Sequence, residues 1–342
     1  MRNILVTGGA GFIGSNFINY VLNTYNDVFI VNLDKLTYAG NLENLIGIDE
    51  HRHYAFVRGD ITNGDLVKHI LKKFEINYVI NFAAESHVDR SIANPSAFYE
   101  TNVLGTNILL NAAREAEVDK FIQISTDEVY GSIDDGGLFT ESSPLRPMNP
   151  YSSSKAGADL MALSFYNTYK MPVVITRCSN NYGPFQYPEK LIPRMSINAC
   201  RNKPLPVFGD GSDIRDWIYV HDHNSAIMAA LEYGRPGEVY NIGANNEKTN
   251  LDIVKLILDY LDKPYSLIKF CDDRPGHDTR YAIDSTKIRT ELNWEPEYTF
   301  NDAIIRTIDW YANNQSWWEK LENGEHKNKI YYNELRYQDI SK

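Results

Sequence analysis

The chain has 342 residues, 43% hydrophobic and 23% charged, which is ordinary globular composition and enough for about two domains. Its 45 acidic and 34 basic side chains leave a formal net charge of −11, which argues against bulk electrostatic binding of nucleic acid or of an anionic membrane surface. No apolar run nears the roughly 18 residues of a membrane span, and three scattered cysteines suit neither a disulfide framework nor a zinc site.

The first apolar run, residues 4–7, enters a glycine cluster at once, unlike a cleaved signal peptide. With the few cysteines this points to a soluble, reduced, cytoplasmic protein. Further apolar runs at 28–33, 78–82, 121–125 and 173–177 are rich in Val, Ile and Phe and do not alternate. Such runs suit strands covered on both faces of a parallel sheet. Helix-like stretches at 15–24, 65–74, 101–116 and 152–169 lie between them, and the alternation predicts a doubly wound α/β domain. After Arg177 the texture changes, with Pro184, Pro188, Pro193, Pro204 and Pro206 breaking the chain. Residues 239–243 read as one more strand, and Leu251, Val254, Leu258 and Leu261 recur at helical spacing. The expected division is a cofactor domain at 1–178, with 215–245 returning to it. A smaller mixed α/β substrate domain takes 179–214 and 246–320, and 321–342 form a tail.

Gly8-Gly9-Ala10-Gly11-Phe12-Ile13-Gly14 joins the first strand to the first helix. Glycine permits the tight turn and close backbone approach to a pyrophosphate, and the helix start offers free N–H groups to the anion. Asp34 ends the second strand 20 residues after Gly14, where a carboxylate accepts from ribose hydroxyls and repels a 2′-phosphate. That favours NAD over NADP. Asp60 and Ile61 follow a third short strand and are candidate adenine contacts. Ala83, Ala84 and Ser86 end the fourth strand, where small side chains leave room for a cofactor across the sheet edge.

Tyr151 and Lys155 stand at i and i+4, on one face of a helix. A phenol is a poor base at neutral pH, and a neighbouring ammonium with a cationic nicotinamide is expected to lower its pKa. Upstream, Ser125-Thr126-Asp127-Glu128-Val129-Tyr130-Gly131 closes a core strand with two adjacent acids. Such a pair suits elimination, one carboxylate taking a proton from carbon and the other helping a hydroxyl leave. A solvated helix start, where acids are favoured, explains it equally well.

These segments, with residues 34–42, 83–91, 178–184, 188–193, 214–217 and 273–278, make the chain resemble the extended short-chain dehydrogenase/reductases. Within them it is similar to the dTDP-glucose 4,6-dehydratase branch of the NAD-dependent epimerases and dehydratases, over residues 4 to about 310. The resemblance implies a Rossmann-type fold and a retained NAD. It implies a dehydration of dTDP-glucose by C4 oxidation, C5/C6 elimination and hydride return to C6. Tyr151 is then the base at C4, Lys155 tunes it, Thr126 holds the C4 oxygen, Glu128 takes the C5 proton and Asp127 protonates the C6 hydroxyl. It adds Lys35, Leu36, Thr37, Thr101 and Asn181 to the cofactor contacts. To the sugar nucleotide it assigns Ser86, His87, Asn180, Lys190, Leu191, Pro206, Phe208, Arg215, Asn250, Arg274 and His277. No metal is expected. A homodimer is implied, through a four-helix bundle of the 101–116 and 152–169 helices, with Leu109 and Leu163 as exposed apolar positions for it to cover. The same dehydration on UDP-glucose, a nucleotide-sugar epimerase and a non-catalytic NAD-binding protein are the competing readings.

Overall fold

The computed structural model describes residues 1–133, 136–272 and 280–325. The first strand and helix are β1 (Arg2–Thr7) and α1 (Phe12–Thr24). Next come β2 (Val28–Asp34), β3 (Tyr54–Arg58), α2 (Gly64–Lys73) and β4 (Tyr78–Asn81). Two short helices, α3 (Val88–Ala93) and α4 (Pro95–Phe98), lead into α5 (Thr106–Glu115), β5 (Lys120–Thr126), α6 (Pro150–Tyr169) and β6 (Val173–Cys178). Then follow β7 (Asn180–Tyr182), α7 (Leu191–Cys200), β8 (Leu205–Phe208), β9 (Ile214–Tyr219), α8 (Val220–Tyr233) and β10 (Val239–Ile242). The described chain ends with β11 (Glu247–Thr249), α9 (Asn250–Tyr260), β12 (Ile268–Cys271), α10 (Thr286–Leu292), α11 (Phe300–Asn313) and α12 (Gln315–Glu322).

Seven strands form one parallel sheet in the order β10-β6-β5-β4-β1-β2-β3. Its apolar side chains divide between two cores. Ile4, Val6, Ile30 and Ile80 pack under α1 and α8, while Leu5, Val31, Val79 and Phe121 pack under α2, α5 and α6. This two-sided burial is why the strand sequences do not alternate. The order reverses between β1 and β4, the place where such sheets open a crevice at the strands' carboxyl ends. Beneath it, Thr7 Oγ1 donates to Asn81 Oδ1 at 2.6 Å, and Asn81 Nδ2 donates to Thr106 and Gln123. That buried network fixes β4 against β1 and β5.

β7, β9 and β11 form a second sheet, and β8 pairs with β12. A separate core of Trp217, Ile192, Ile253, Ile257, Phe300 and Ile304 holds these with α7, α9 and α11. α8 packs on α1 and β10 completes the large sheet, whereas β9 pairs in the small one.

Two local features differ from the sequence expectation. The stretch read as one helix from 101 starts as a π-helical turn, Tyr99–Gly105, and becomes α-helical at Thr106. The wide turn aims Asn102 inward, where it accepts from Glu85 N, and its Nδ2 donates to Glu85 O and Ser154 Oγ. Leu109 is 1% exposed and packs beneath the sheet, so it is not an exposed apolar position, and Leu163 is half-buried against the same core. Leu104 and Leu160 on the same two segments are exposed instead. α12 buries Trp317 and Trp318, whose indoles donate to Asn44 Oδ1 and Tyr311 O. No helix among the described residues is long and apolar enough to cross a membrane.

Candidate active site

The glycine loop sits at the switch point. Gly8 has φ +71°, and a Cβ there would stand 2.7 Å from Ala83 N, so β1 and the end of β4 approach as only glycine allows. Gly14 presses on Gly8 O in the same way. The loop is braced from β2: Asn32 Oδ1 accepts from Gly9 N at 3.1 Å and Asp34 Oδ2 from Ala10 N at 2.9 Å. Gly11 gives α1 no side-chain cap, so the first N–H groups of the helix face the cleft unclaimed. Asp34 Oδ1 also accepts from Leu36 N at 2.7 Å. Burial raises the Asp34 pKa, and the two backbone donors oppose that. At the rim, Lys35 Nζ pairs with Asp60 Oδ2 at 2.6 Å, which raises the lysine's pKa.

Opposite the loop, β5 ends and a 3-10 turn, Asp127–Tyr130, begins. Thr126 caps that turn, its hydroxyl accepting from Glu128 N at 3.3 Å and lying 3.2 Å from Asp127 Oδ1. Tyr151 and Lys155 come from the first turns of α6, whose start is fixed by a capping box between Asn149 and Ser152. Lys155 Nζ is buried and donates to Ile124 O at 2.6 Å.

The electrostatics separate the acids from the base. Burial, Glu128 and Asp216 push the Asp127 carboxyl well above the usual carboxylate range, which favours its protonated form. Arg215 acts on it in the opposite direction. Burial lowers the Lys155 pKa, with Asp159 opposing. For Tyr151, burial and then Glu128 raise the pKa, and a hydrogen bond with Thr126 opposes them. The Lys155 ammonium is engaged by the Ile124 carbonyl.

One large cleft unites most of the candidates. It is lined by Gly8, Gly11, Phe12, Ile13, Gly14, Asp34, Lys35, Thr37, Asp60, Ile61, Ala83, Ala84, Ser86 and Thr101 on the glycine-loop side. Thr126, Asp127, Glu128, Tyr151, Lys155, Asn180, Asn181 and Lys190 line the remainder. Leu36 backs the wall in the core, and His87, Leu191, Pro206, Phe208, Arg215 and Asn250 lie off the lining. Arg274 and His277 lie outside the described residues. Asn181 has its amide engaged inward, on Ser179 O and on His223 Nδ1 at 2.8 Å.

At the far rim, sequence reasoning named Ser86, His87 and Lys190 but missed Tyr38, Arg90 and Glu189, which join them. Tyr38 donates to Glu189 Oε1 at 2.8 Å, Arg90 stacks on the Tyr38 ring, and His87 Nε2 lies 3.4 Å from Glu189 Oε2. Lys190 Nζ reaches Ser86 O at 3.4 Å. These contacts join three loops across the cleft. The signal was present in the polar run 188–190, but no local period links it to Tyr38.

Ser125 Oγ, Asp127 Oδ2 and Asn180 Oδ1 are buried with no hydrogen-bond partner among the described residues, and all three side chains belong to the cleft lining. Orphaned polar atoms beside a glycine cradle and free helix N–H groups fit a dinucleotide on one side and a polyhydroxylated ligand on the other. No group of three or more His, Cys, Asp or Glu side chains among the described residues is placed to hold a metal ion.

A family model described as GDP-mannose 4,6 dehydratase matches residues 5–307. A dTDP-glucose 4,6-dehydratase of Xanthomonas campestris pv. campestris is 47% identical over 96% of this chain and 98% of its own length. The crystal structure of a Bacillus anthracis dTDP-glucose 4,6-dehydratase in complex with NAD is 52% identical, with TM-score 0.89 over 94% of this chain and all of its own. A Streptomyces venezuelae dTDP-glucose 4,6-dehydratase, also solved with NAD bound, is 47% identical with TM-score 0.91 over 94% of this chain and all of its own.

Proposed function

The chain belongs to the family described as GDP-mannose 4,6 dehydratase, within the NAD-dependent epimerases and dehydratases, and from that premise we propose that it converts dTDP-glucose to dTDP-4-keto-6-deoxyglucose and water. The observation that carries this reading is the Thr126-Asp127-Glu128 turn facing Tyr151 and Lys155 across one cleft. An epimerase has no use for a buried carboxyl with a raised pKa at that point; an elimination does.

The chemistry divides among the residues. NAD, when bound, supplies the hydride acceptor for C4 and the donor that returns the hydride to C6, and its cationic ring favours the phenolate. Tyr151 takes the C4 hydroxyl proton, with Thr126 holding both the phenol and the C4 oxygen. Lys155, anchored on Ile124 O one turn along α6 from Tyr151, would hold the nicotinamide ribose and tune the base. The C4 ketone acidifies C5, and Glu128 removes that proton. Asp127 gives its proton to the C6 hydroxyl, which leaves as water; its raised pKa suits that role. Glu128 then returns its proton to C5, leaving a 4-keto-6-deoxy sugar.

The site assignments extend this reading. Gly8–Gly14 N–H groups would hold the pyrophosphate and Asp34 the adenosine ribose. Arg215, whose charge already reaches Asp127, would meet the sugar-nucleotide diphosphate with Asn180 and Lys190. Residues 1–178 with α8 and β10 would then be the cofactor part, and the separate core around Trp217 the sugar-nucleotide part. We also propose a homodimer, supported by Leu104 and Leu160 standing exposed on adjoining segments of α6 and the turn before α5. The free thiols Cys178, Cys200 and Cys271 suit a cytoplasmic, reducing compartment.

Purified enzyme incubated with dTDP-glucose should yield a product lighter by one water, read by mass spectrometry. Unchanged mass with altered C4 configuration would make it an epimerase. Faster turnover of UDP-glucose would overturn the dTDP assignment.

A further inference from the structure

Arg177 lies on β6 beneath the cleft, 3% exposed, and does not line it. Its guanidinium makes two separate attachments. Nε donates to Asp159 Oδ2 at 2.8 Å, and Nη1 donates to Tyr130 Oη at 2.9 Å. Asp159 is on α6, one turn beyond Lys155 and two beyond Tyr151. Tyr130 is the last residue of the turn that carries Asp127 and Glu128. Tyr130 is held in its turn: its hydroxyl donates to Asn241 Oδ1 at 2.8 Å, and its ring stacks on Phe139. Asn241 is pinned by Glu141 Oε1 and by the carbonyls of Phe139 and Asp284.

We propose that Arg177 is a positioning residue that holds the oxidation pair, Tyr151 and Lys155, in register with the elimination pair, Asp127 and Glu128. The two pairs sit on different elements and must address neighbouring carbons of one sugar. A rigid planar fork bonded to both elements sets their separation, which a flexible ammonium cannot do. The Asp159 arm also faces the lysine's side of the helix, where its charge favours the ammonium form of Lys155. The two arms therefore serve the two half-reactions separately. This rests on the dehydratase reading above.

The test is the partition between half-reactions, followed by enzyme-bound NADH absorbance and by release of 4-keto product. Tyr130→Phe keeps the ring and the Arg177–Asp159 pair but removes one arm. It should slow elimination by about tenfold while C4 oxidation holds, so NADH accumulates. Arg177→Lys, which keeps a charge for Asp159, should give the same signature. Asp159→Asn should slow C4 oxidation instead, with no NADH build-up. A merely structural role would lower the melting temperature and slow both steps in equal proportion. That result, or an unchanged partition in Tyr130→Phe, overturns the proposal. Wild-type enzyme that removes no water from dTDP-glucose overturns the dehydratase reading itself, and this control separates the two failures.

Discussion

At the scale of single residues, Asp127 shows function opposing stability. Its native pKa lies above the unfolded value near 3.9, so the folded chain binds the extra proton between those two values. Folding stability from this group is therefore full below about pH 4 and is lost as pH rises toward the native pKa. Asp127→Asn removes that loss. Urea unfolding should show the variant gaining on wild type by about 1.4 kcal/mol per pH unit within this window, while dehydration is abolished. A stability difference that stays flat with pH would refute the assignment of Asp127 as a buried acid. Glu128→Gln isolates the other carboxylate: C4 oxidation should survive and C5 deprotonation should not, so NADH absorbance should build up without product. Full turnover would remove Glu128 from the mechanism. At Gly8, alanine meets both a φ of +71° and the Ala83 backbone. Gly8→Ala should strip NAD during desalting, with binding weakened by on the order of a hundredfold, or about 3 kcal/mol. These residues were legible because their chemistry is packed into short motifs. Arg177 and Asp159 were not, being 18 positions apart and joined only by the meeting of β6 with α6.

At the scale of elements, the start of α6 carries the catalytic pair, and its cap can be tested apart from the chemistry. Asn149, two residues before Tyr151, accepts at Oδ1 from Ser152 N at 2.9 Å, and Ser152 Oγ, one residue after it, accepts from Asn149 N. Asn149→Ala should cost about 1 kcal/mol in chemical unfolding. It should also lower the rate of C4 oxidation severalfold, whereas Asn149→Asp should restore both. If Asn149→Ala destabilises with no change in that rate, the frayed turn does not reach Tyr151. The five apolar strands and four long helices of the first half were readable because two-sided burial writes itself as unbroken Val, Ile and Phe. In the second half β10 and α9 were readable too, but β7, β8 and β11 were not, being only three or four residues long and defined by partners elsewhere in sequence. The π-helical turn before α5 has no period of its own; it follows from Asn102 bonding to Glu85 and Ser154. The burial of α12 has no local signal either, since Trp317 reaches Asn44, 273 positions away.

At the scale of the whole molecule, the charge of −11 and the proposed binding of two anionic diphosphates are compatible because the attraction is local. Backbone N–H groups at Gly8–Gly14 and cations such as Arg215 and Lys190 would do the binding in the proposed reading, and the surplus of acids favours solubility. The same surplus makes two copies repel, so a dimer needs an apolar seam. Leu160 is 58% exposed on α6 and Leu104 is 49% exposed in the turn beside it, on the face away from the sheet. Each leucine that a second copy buries contributes about 2 kcal/mol, and two-fold symmetry counts each one twice. Leu160→Asp replaces that gain with two carboxylates brought together. Light scattering should give about twice 39.2 kDa for wild type and 39.2 kDa for the variant. Because Leu160 points away from the core, the variant should keep its fold and NAD content. Screening of the repulsion should tighten the wild-type dimer as salt rises. A monomeric wild type, or a Leu160→Asp variant that remains dimeric, would place the contact on another face.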